Sequence, residues 1–543
     1  MPSFIKKNLY IILILLVATF LRSYKISSTP AINSDEAALA YNAYSLLETG
    51  KDEHGISWPL HFKSFGDFKP GGYVYLALPF IKILGLNTLA IRLPNLILSV
   101  VSIYFFYKLL NLLSTKELAY YSTIVLALSP WHIHFSRGAW ESSTALSLTI
   151  IGLYLFYSYI LNHKPAPQKA GSYIYLYFSV LFFSLSLYTY HSSRLITPLI
   201  MLFLVFTNLK NLISKNNLKK TLISLALFTI FSIPVFVSFL NSGGATRFNG
   251  VGILADPGPV WRANELLNHH GQPITLINRI MHNKRILYLL SWLEKYTSHF
   301  TADFLFINGD EVARSKSVEI GQFYLFELPL FILGLYLFTK TKHLLLKNLT
   351  FFLLLITPLA SSLTFQAPSA LRSLSMVIPL SIFIGYGIDK TVPLLNRKSY
   401  ILFLVAYLYS LAYYLNSYFI LYPKMYPLAW QYSFDQVIPI VEENKTKYEN
   451  VYFTNKYDQP YILYLFYSQY NPNLLQPQIQ LTRPDQFGFS TVSTIDNINF
   501  FIPPTEQIPQ NSIIFASDEK VSLNINQIIN FPNGQPAFKI YTK

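Results

Sequence analysis

The chain has 543 residues, of which 52% are hydrophobic and only 13% charged, with 40 Tyr and 43 Phe and a mean hydropathy of +0.34. Such a composition excludes an ordinary soluble enzyme and predicts a polytopic membrane protein with aromatic belts at both interfaces. The formal charge of +15 is carried mainly by lysines in short loops between apolar runs, which argues for membrane topology and against nucleic acid as a partner. The absence of Cys excludes disulfides, thiolate metal ligands and thiolate nucleophiles.

In chain order, residues 1–24 carry Lys6 and Lys7 before an apolar stretch with no small-residue cleavage motif, and so read as a retained first span. Runs long enough to cross the hydrocarbon, which takes roughly 20 residues, lie at 8–24, 92–112, 117–135, 142–162, 172–190, 195–211, 220–240, 322–340, 348–365, 371–389 and 399–421. This makes about eleven spans. The segment GGYVYLALPFIKILG at 71–85 is shorter, is broken by Pro79 and Lys82, and reads as an interfacial helix.

Charge fixes the expected orientation. With 71–85 outside the count and the N-terminus cytoplasmic, the inner loops hold Lys108 and Lys116, Lys164 and Lys169, Lys210 to Lys220, Lys340 to Lys347, and Lys390 with Arg397 and Lys398. The expected outer face then holds loop 25–91, loop 242–321 and a C-terminal domain at 424–543. Residues 1–423 form the transmembrane domain. In the C-terminal segment, ENVYFTNKYDQPYILYLFYSQY predicts a strand then a helix, and NSIIFAS and PAFKIYTK predict further strands, hence a small α/β domain outside the membrane. In loop 242–321, LINRIMHNKRILYLLSWLEKY pairs an apolar stripe with Arg279, Lys284 and Arg285 and predicts a helix lying on the membrane surface.

The chemistry-bearing residues cluster on that outer face. Asp35 and Glu36 follow Ser34, which is placed to cap a helix through AALAYNAYSLLE; acids in a first turn are favoured by the helix dipole, and an ionised Asp is also what a general base must be. Lys69, in FGDFKPGGYVYL, either snorkels to lipid head groups or lines one site with Asp35. Arg137 and Glu141, in SPWHIHFSRGAWESS, are spaced as an i,i+4 helical pair. His132 and His134, two apart, face nearly opposite sides of a helix and lack HExxH, which argues against a metal site. His191 and Arg194 (YTYHSSRLITP), Arg247 (GGATRFNG) and Arg372 (QAPSALRSLSM) complete the set. Each is an interface anchor or, collectively, part of a phosphate site beside a carboxylate base, since Arg presents a planar donor fork to phosphate oxygens. No GxxxxGK[ST] or GxGxxG occurs.

Read in order, DEAALAYNAYSLLETG, FKPGGYVYLALPFIKILG, IRLPN and HFSRGAWE resemble the GT-C superfamily of membrane glycosyltransferases, in particular the aminoarabinose transferases acting on lipid A and the protein O-mannosyltransferases. The resemblance runs motif by motif over roughly the first 145 residues and by span pattern beyond. KPGG stands where those families have KPP, Glu141 where many have Asp, and the C-terminal domain has no counterpart in the pattern.

The resemblance implies a GT-C fold and an inverting transfer of a sugar from a polyprenyl-phosphate donor to a lipid, glycan or protein acceptor at the outer face of the cell membrane. It implies Asp35 as the base, Glu36 and Glu141 as accompanying catalytic carboxylates that orient the acceptor or keep Asp35 in place, and Lys69, Arg247 and Arg372 on the donor phosphate. Arg137, His191 and Arg194 are further substrate-binding candidates. No cofactor is required by this chemistry, although Asp35, Glu36 and Glu141 are a set able to hold a divalent ion. A lipid-linked glycan transporter or a non-catalytic glycan-binding scaffold is the rival reading; a transporter calls for ionisable groups midway along spans, whereas here nearly all lie at span ends.

Overall fold

A computed structural model describes residues 3–161, 173–241, 252–271, 273–485 and 490–543. The chain is mostly helical. Among the described residues six helices are long and apolar enough to cross a membrane: Thr88–Leu113, Glu141–Leu161, Leu218–Ser238, Leu344–Ser362, Leu374–Leu394 and Arg397–Met425. Shorter apolar helices cover Asn8–Ser23, Gly72–Leu84, Tyr173–Thr189, Ser193–Thr207 and Leu325–Phe338. Several of the expected spans are therefore cut short. The run 117–135, for instance, is a helix Lys116–Leu128 and a separate turn of helix Pro130–Ser136, because Pro130 has no N–H to continue the ladder and disfavours helical dihedrals at Ser129.

The chain divides into two compact units. The first comprises residues 1–18, 100–135 and 145–411. Within it, helix Leu328–Phe338 packs on Val377–Thr391, which also packs on Lys116–Leu128. The contacts are made at small residues: a Cβ at Gly334 would collide with the Phe383 carbonyl, one at Gly387 with Leu330, and one at Gly385 with Ser122. Close approach of backbones at glycine is how helices associate where lipid supplies no hydrophobic drive. The expected surface helix of loop 242–321 is two helices, Leu276–Met281 and Lys284–Ser298, each capped by the side chain before it, Thr275 and Asn283.

The second unit comprises residues 19–99, 136–144 and 412–543. Its first part holds helix Ser34–Thr49, a hairpin of β1 (His61–Ser64) and β2 (Asp67–Pro70), and helix Gly72–Leu84. Its C-terminal part holds a six-stranded mixed sheet from β3 (Asn450–Phe453), β4 (Thr494–Ile495), β5 (Ile498–Asn499), β6 (Ser512–Ala516), β7 (Gln527–Asn530) and β8 (Pro536–Thr542), in the order β4-β5-β3-β6-β8-β7. β3 pairs parallel with β5 and β6, and the other pairs are antiparallel.

One apolar core joins these parts. Ala37, Tyr41, Tyr73 and Ala77 of the first share it with Phe434, Tyr461, Phe515 and Phe538 of the second. Helix Ser34–Thr49 packs on both Gly72–Leu84 and the helix Pro460–Tyr467. Polar ties fix the register of that contact: Tyr41 donates to the Tyr470 carbonyl at 2.9 Å and the Ser34 N–H to Gln431 Oε1 at 2.7 Å. A helix buried over most of its length, with Glu36 inside and Asp35 partly exposed, is a firm base for a site.

Candidate active site

Helix Ser34–Thr49 begins with a reciprocal cap. The cap residue is Asn33 rather than Ser34: the Asn33 side chain accepts from the Glu36 N–H at 3.1 Å, and the Glu36 carboxylate accepts in return from the Asn33 N–H at 3.4 Å. Asn takes this position as readily as Ser because its side-chain oxygen reaches the third helical N–H. Glu36, however, does far more than cap.

Arg92, four residues into the helix Thr88–Leu113, grips Glu36 as a fork, Nε to Oε1 at 2.8 Å and Nη2 to Oε2 at 2.5 Å. Its remaining donors go to the carbonyls of Ile26, Pro30 and Ala31 at 2.8, 2.8 and 3.0 Å. All five N–H groups of a fully buried guanidinium are thereby used. Glu36 Oε1 accepts a further bond from the Ala139 N–H at 2.7 Å. Gly138 permits this approach, since a Cβ there would lie 3.1 Å from Glu36 Oε1 and 2.7 Å from Trp140 Nε1. Glu36, expected among the catalytic carboxylates, thus has its oxygens committed to the scaffold, 2% exposed.

Arg137 has a parallel task. It is fully buried and donates to the carbonyls of Leu21, Arg22, Tyr24 and Thr29 at 2.8, 3.1, 2.8 and 2.9 Å. Its plane lies 4.8 Å from the Phe419 ring centre and 5.3 Å from that of Tyr418, a geometry suited to guanidinium stacking. Arg92 and Arg137 therefore staple the end of the helix Ser3–Ser23 and the segment that leads from it to the Asn33 cap, both by their carbonyls. The expected i,i+4 pair between Arg137 and Glu141 does not form, because the helix ends at Ser136 and a new one begins at Glu141. With both Nη groups spent on carbonyls, Arg137 braces this part of the chain.

Asp35 is different. Its side chain is 44% exposed, and Lys69 Nζ lies 2.5 Å from Asp35 Oδ1. Lys69 comes from β2, whose partner residue is Phe62, and its ammonium also stands 4.9 Å over the Phe65 ring. The glycine after Pro70 explains the KPGG spelling: Gly71 N–H donates to the Leu60 carbonyl at 2.9 Å, and a Cβ on Gly71 would sit 2.9 Å from that oxygen and 2.7 Å from the Phe62 ring. Only glycine lets the hairpin close and aim Lys69 at Asp35. Glu141 opens the helix Glu141–Leu161 and lies within electrostatic reach of the buried Tyr73 phenol.

Behind the hairpin sits a buried acid. Glu53 is fully buried; its Oε1 accepts from Asn42 Nδ2 at 3.1 Å, and its N–H donates to Asn42 Oδ1 at 3.0 Å. Burial, with some help from neighbouring Asp52 and against the Asn42 bond and the Lys69 charge, pushes its carboxyl up to about 8. His54 beside it is pushed down to about 4, chiefly by burial.

The remaining expected residues belong to the first unit. Arg372 donates to the Gln366 carbonyl at 3.0 Å and Thr364 Oγ1 at 3.3 Å. Arg194 contacts His191 Nδ1 at 3.3 Å and the Leu187 carbonyl at 3.3 Å. His134, one of the two candidate imidazole ligands, bonds instead to the Arg314 carbonyl at 2.8 Å. Arg247 lies outside the described residues. Among the described residues no three His, Asp or Glu side chains gather as a metal-ligand group. The residue that the expected set lacked is Arg92; its signal is the IRLPN motif, an Arg entering a span immediately before a Pro.

Residues 69–236 match the sequence profile of the dolichyl-phosphate-mannose-protein mannosyltransferases. The matched stretch starts on Lys69 and contains Arg92, Arg137 and Glu141, and covers under a third of the chain. The fold is similar to that of the archaeal oligosaccharyltransferase AglB from Archaeoglobus fulgidus, solved with an inhibitory peptide and dolichol-phosphate, at 13% identity and a TM-score of 0.50. That alignment covers 86% of this chain and 64% of AglB, so the chain spans less than two thirds of that enzyme's length. ArnT from Cupriavidus metallidurans aligns at 10% identity and a TM-score of 0.47, over 100% of this chain and 98% of ArnT. No curated protein matches the chain by sequence. In family profile and fold, the chain resembles the GT-C membrane glycosyltransferases. Within that class the profile match is to the protein mannosyltransferases, over residues 69–236.

Proposed function

We propose that this protein is an inverting glycosyltransferase that moves a sugar from a polyprenyl-phosphate donor to a hydroxyl of a lipid, glycan or protein acceptor at the outer face of the cell membrane. Its N-terminus is cytoplasmic and the unit carrying Asp35 is extracytoplasmic. The single observation that carries the reading is the 2.5 Å pair of Asp35 and Lys69, an accessible carboxylate beside a cation, on a base braced by two buried arginines, Arg92 and Arg137. The profile match to enzymes that use dolichyl-phosphate-mannose supports the donor class.

Asp35 accepts the proton of the acceptor hydroxyl as its oxygen bonds to C1 of the donor sugar. The C1–O bond to phosphate breaks, its electron pair remains on the phosphate oxygen, and attack opposite the leaving group inverts the anomeric carbon. Lys69 turns to the phosphate as charge grows there; a fixed cation at a water-poor boundary stabilises that charge at little reorganisation cost. Arg372 and Arg247 are proposed as further phosphate partners, His191 and Arg194 as substrate contacts, and Glu141 as a second carboxylate near the acceptor. Glu36 acts through position, holding the helix turn that presents Asp35. No divalent ion is needed for these steps, so chelation with EDTA leaves turnover unchanged.

The test is purified Asp35→Asn protein in detergent with a radiolabelled polyprenyl-phosphate sugar and a lipid extract of the native membrane as acceptor source. The expected result is a folded protein whose release of polyprenyl phosphate falls by about 10²–10⁴. Turnover near that of the wild type removes Asp35 as the base and the reading with it.

A further inference from the structure

The second unit contains a cavity of about 400 Å³ that the steps above do not use. Its volume falls in the range of about 300–1,000 Å³ typical of small-molecule sites. One wall is the segment that Arg92 and Arg137 staple, with Ser28 and Ala31, and the opposite wall comes from Tyr432 and Asp435, from Tyr467 and from Asn530 at the end of β7. The wall is shaped deliberately: Ser433 adopts φ +74° and donates from Oγ to the Asn530 carbonyl at 3.0 Å, which ties the start of the helix Phe434–Asn444 to the sheet.

Three features narrow the ligand. Two tyrosines supply flat apolar faces, Asp435, Gln436 and Asn530 supply oxygen and amide groups that bond paired hydroxyls, and no Lys or Arg lines the cavity. A phosphate therefore finds no counter-charge and meets the Asp435 carboxylate, so the donor's phosphate end is excluded. A neutral polyhydroxylated ring fits all three. The Tyr467 phenol in its wall lies within electrostatic reach of Asp435 and also of Arg92 and Glu36.

We infer that the cavity between the stapled segment and the sheet, lined by Tyr432, Tyr467, Asp435 and Asn530, is a subsite for a hexose unit of the acceptor. This rests on the glycosyltransfer reading and specifies it: the acceptor carries a sugar, and that sugar is not an acid.

Because the chain has no Cys, Ser28→Cys places one thiol in the cavity. Its labelling rate with a maleimide is measured in the otherwise unaltered protein, without donor, against methyl glycosides of glucose, galactose, mannose and N-acetylglucosamine and against methyl glucuronide. Lys520→Cys, on an exposed residue away from the cavity, is the control. At a free sugar concentration a few times a dissociation constant in the usual weak range of about 1–10 mM, at least one neutral glycoside slows labelling at position 28 by about threefold or more. The glucuronide protects less, and the control thiol is unaffected. Adding Asp435→Asn or Tyr467→Ala removes the protection. If no neutral glycoside protects, or if all five slow both thiols equally, the inference is overturned, even where the wild type turns over donor. If protection is seen but no donor is consumed, the glycosyltransfer reading fails and the sugar site stands alone.

Discussion

Lys69 Nζ and Asp35 Oδ1, 34 residues apart in the chain, meet at 2.5 Å because two different local structures aim them at each other. Asp35 is presented by a helix whose first turn is capped, forked and buried; Lys69 is presented by a two-stranded hairpin that only a glycine can close. The pair is therefore a meeting of two well-positioned parts, and its ion pair is at a partly exposed carboxylate, which suits a base and a phosphate ligand that must change partners during turnover.

Because the two act as one unit, their losses do not add. Lys69→Met is expected to lower kcat by about 10²–10³, the size seen when one charge-stabilising group is removed. The double variant Asp35→Asn with Lys69→Met falls no further than the lower single variant, to within about threefold. Release of polyprenyl phosphate under single-turnover conditions checks this; the product of the two single losses in the double variant would show two independent sites.

Glu36→Gln separates scaffold from chemistry. It keeps the shape of the side chain but leaves the buried Arg92 without its counter-charge, and breaking such a pair costs about 3–5 kcal/mol. Asp35→Asn, at a half-exposed surface pair, costs under about 1 kcal/mol. The thermal midpoint in detergent is expected to drop strongly in the first and hardly in the second. Arg92→Lys behaves like Glu36→Gln, because an ammonium cannot replace a five-donor fork. Equal midpoints for Glu36→Gln and the wild type would contradict the buried-fork geometry.

Arg137→Lys is a second stability variant with a kinetic signature. An ammonium reaches fewer of the four carbonyls of Leu21, Arg22, Tyr24 and Thr29, and each buried acceptor left bare costs about 1–3 kcal/mol. The expected outcome is a lower midpoint and less folded protein, with the KM for donor unchanged per folded molecule. A raised KM at an unchanged midpoint would return Arg137 to the substrate surface.

Much of this was legible in the sequence, for stated reasons. Hydropathy and the distribution of lysines announce a helical membrane protein, and adjacent acids before an amphipathic run announce a capped helix that presents Asp35. The strand and helix signals of ENVYFTNKYDQPYILYLFYSQY correspond to β3 and the helix Pro460–Tyr467. What stayed hidden is what depends on distant partners. The sequence shows that Glu36 is acidic but not that Arg92, 56 residues away, consumes it. It shows that Arg137 and Glu141 are four apart but not that the helix breaks between them. Nor does any local pattern reveal that Tyr41 and Ser34 bond to residues some 400 positions further on, which places the C-terminal sheet in the same core as the candidate site. Single-residue chemistry reads locally; the assignment of a charge to scaffold or to substrate does not.

Glu53 supplies a pH signature with a definite sign. Its ordinary value is 4.5 and burial raises it to about 8 in the folded protein. Between these values the unfolded chain has lost the proton that the folded chain keeps, so unfolding releases a proton and stability falls as pH rises through that window, levelling off above about 8. His54 works from the other side: with 6.5 lowered to about 4, it is neutral when folded and withdraws stability as pH falls through that range. Glu53→Gln keeps an oxygen acceptor for Asn42 and abolishes only the first effect. Relative to this variant, wild-type stability is expected to decline between pH 5 and 8 by up to about 1.4 kcal/mol per pH unit, read from thermal midpoints in detergent across the series. Parallel curves for the two proteins would mean that Glu53 is ionised in the fold, and that the charge of Lys69, which acts on it across the hairpin, outweighs its burial.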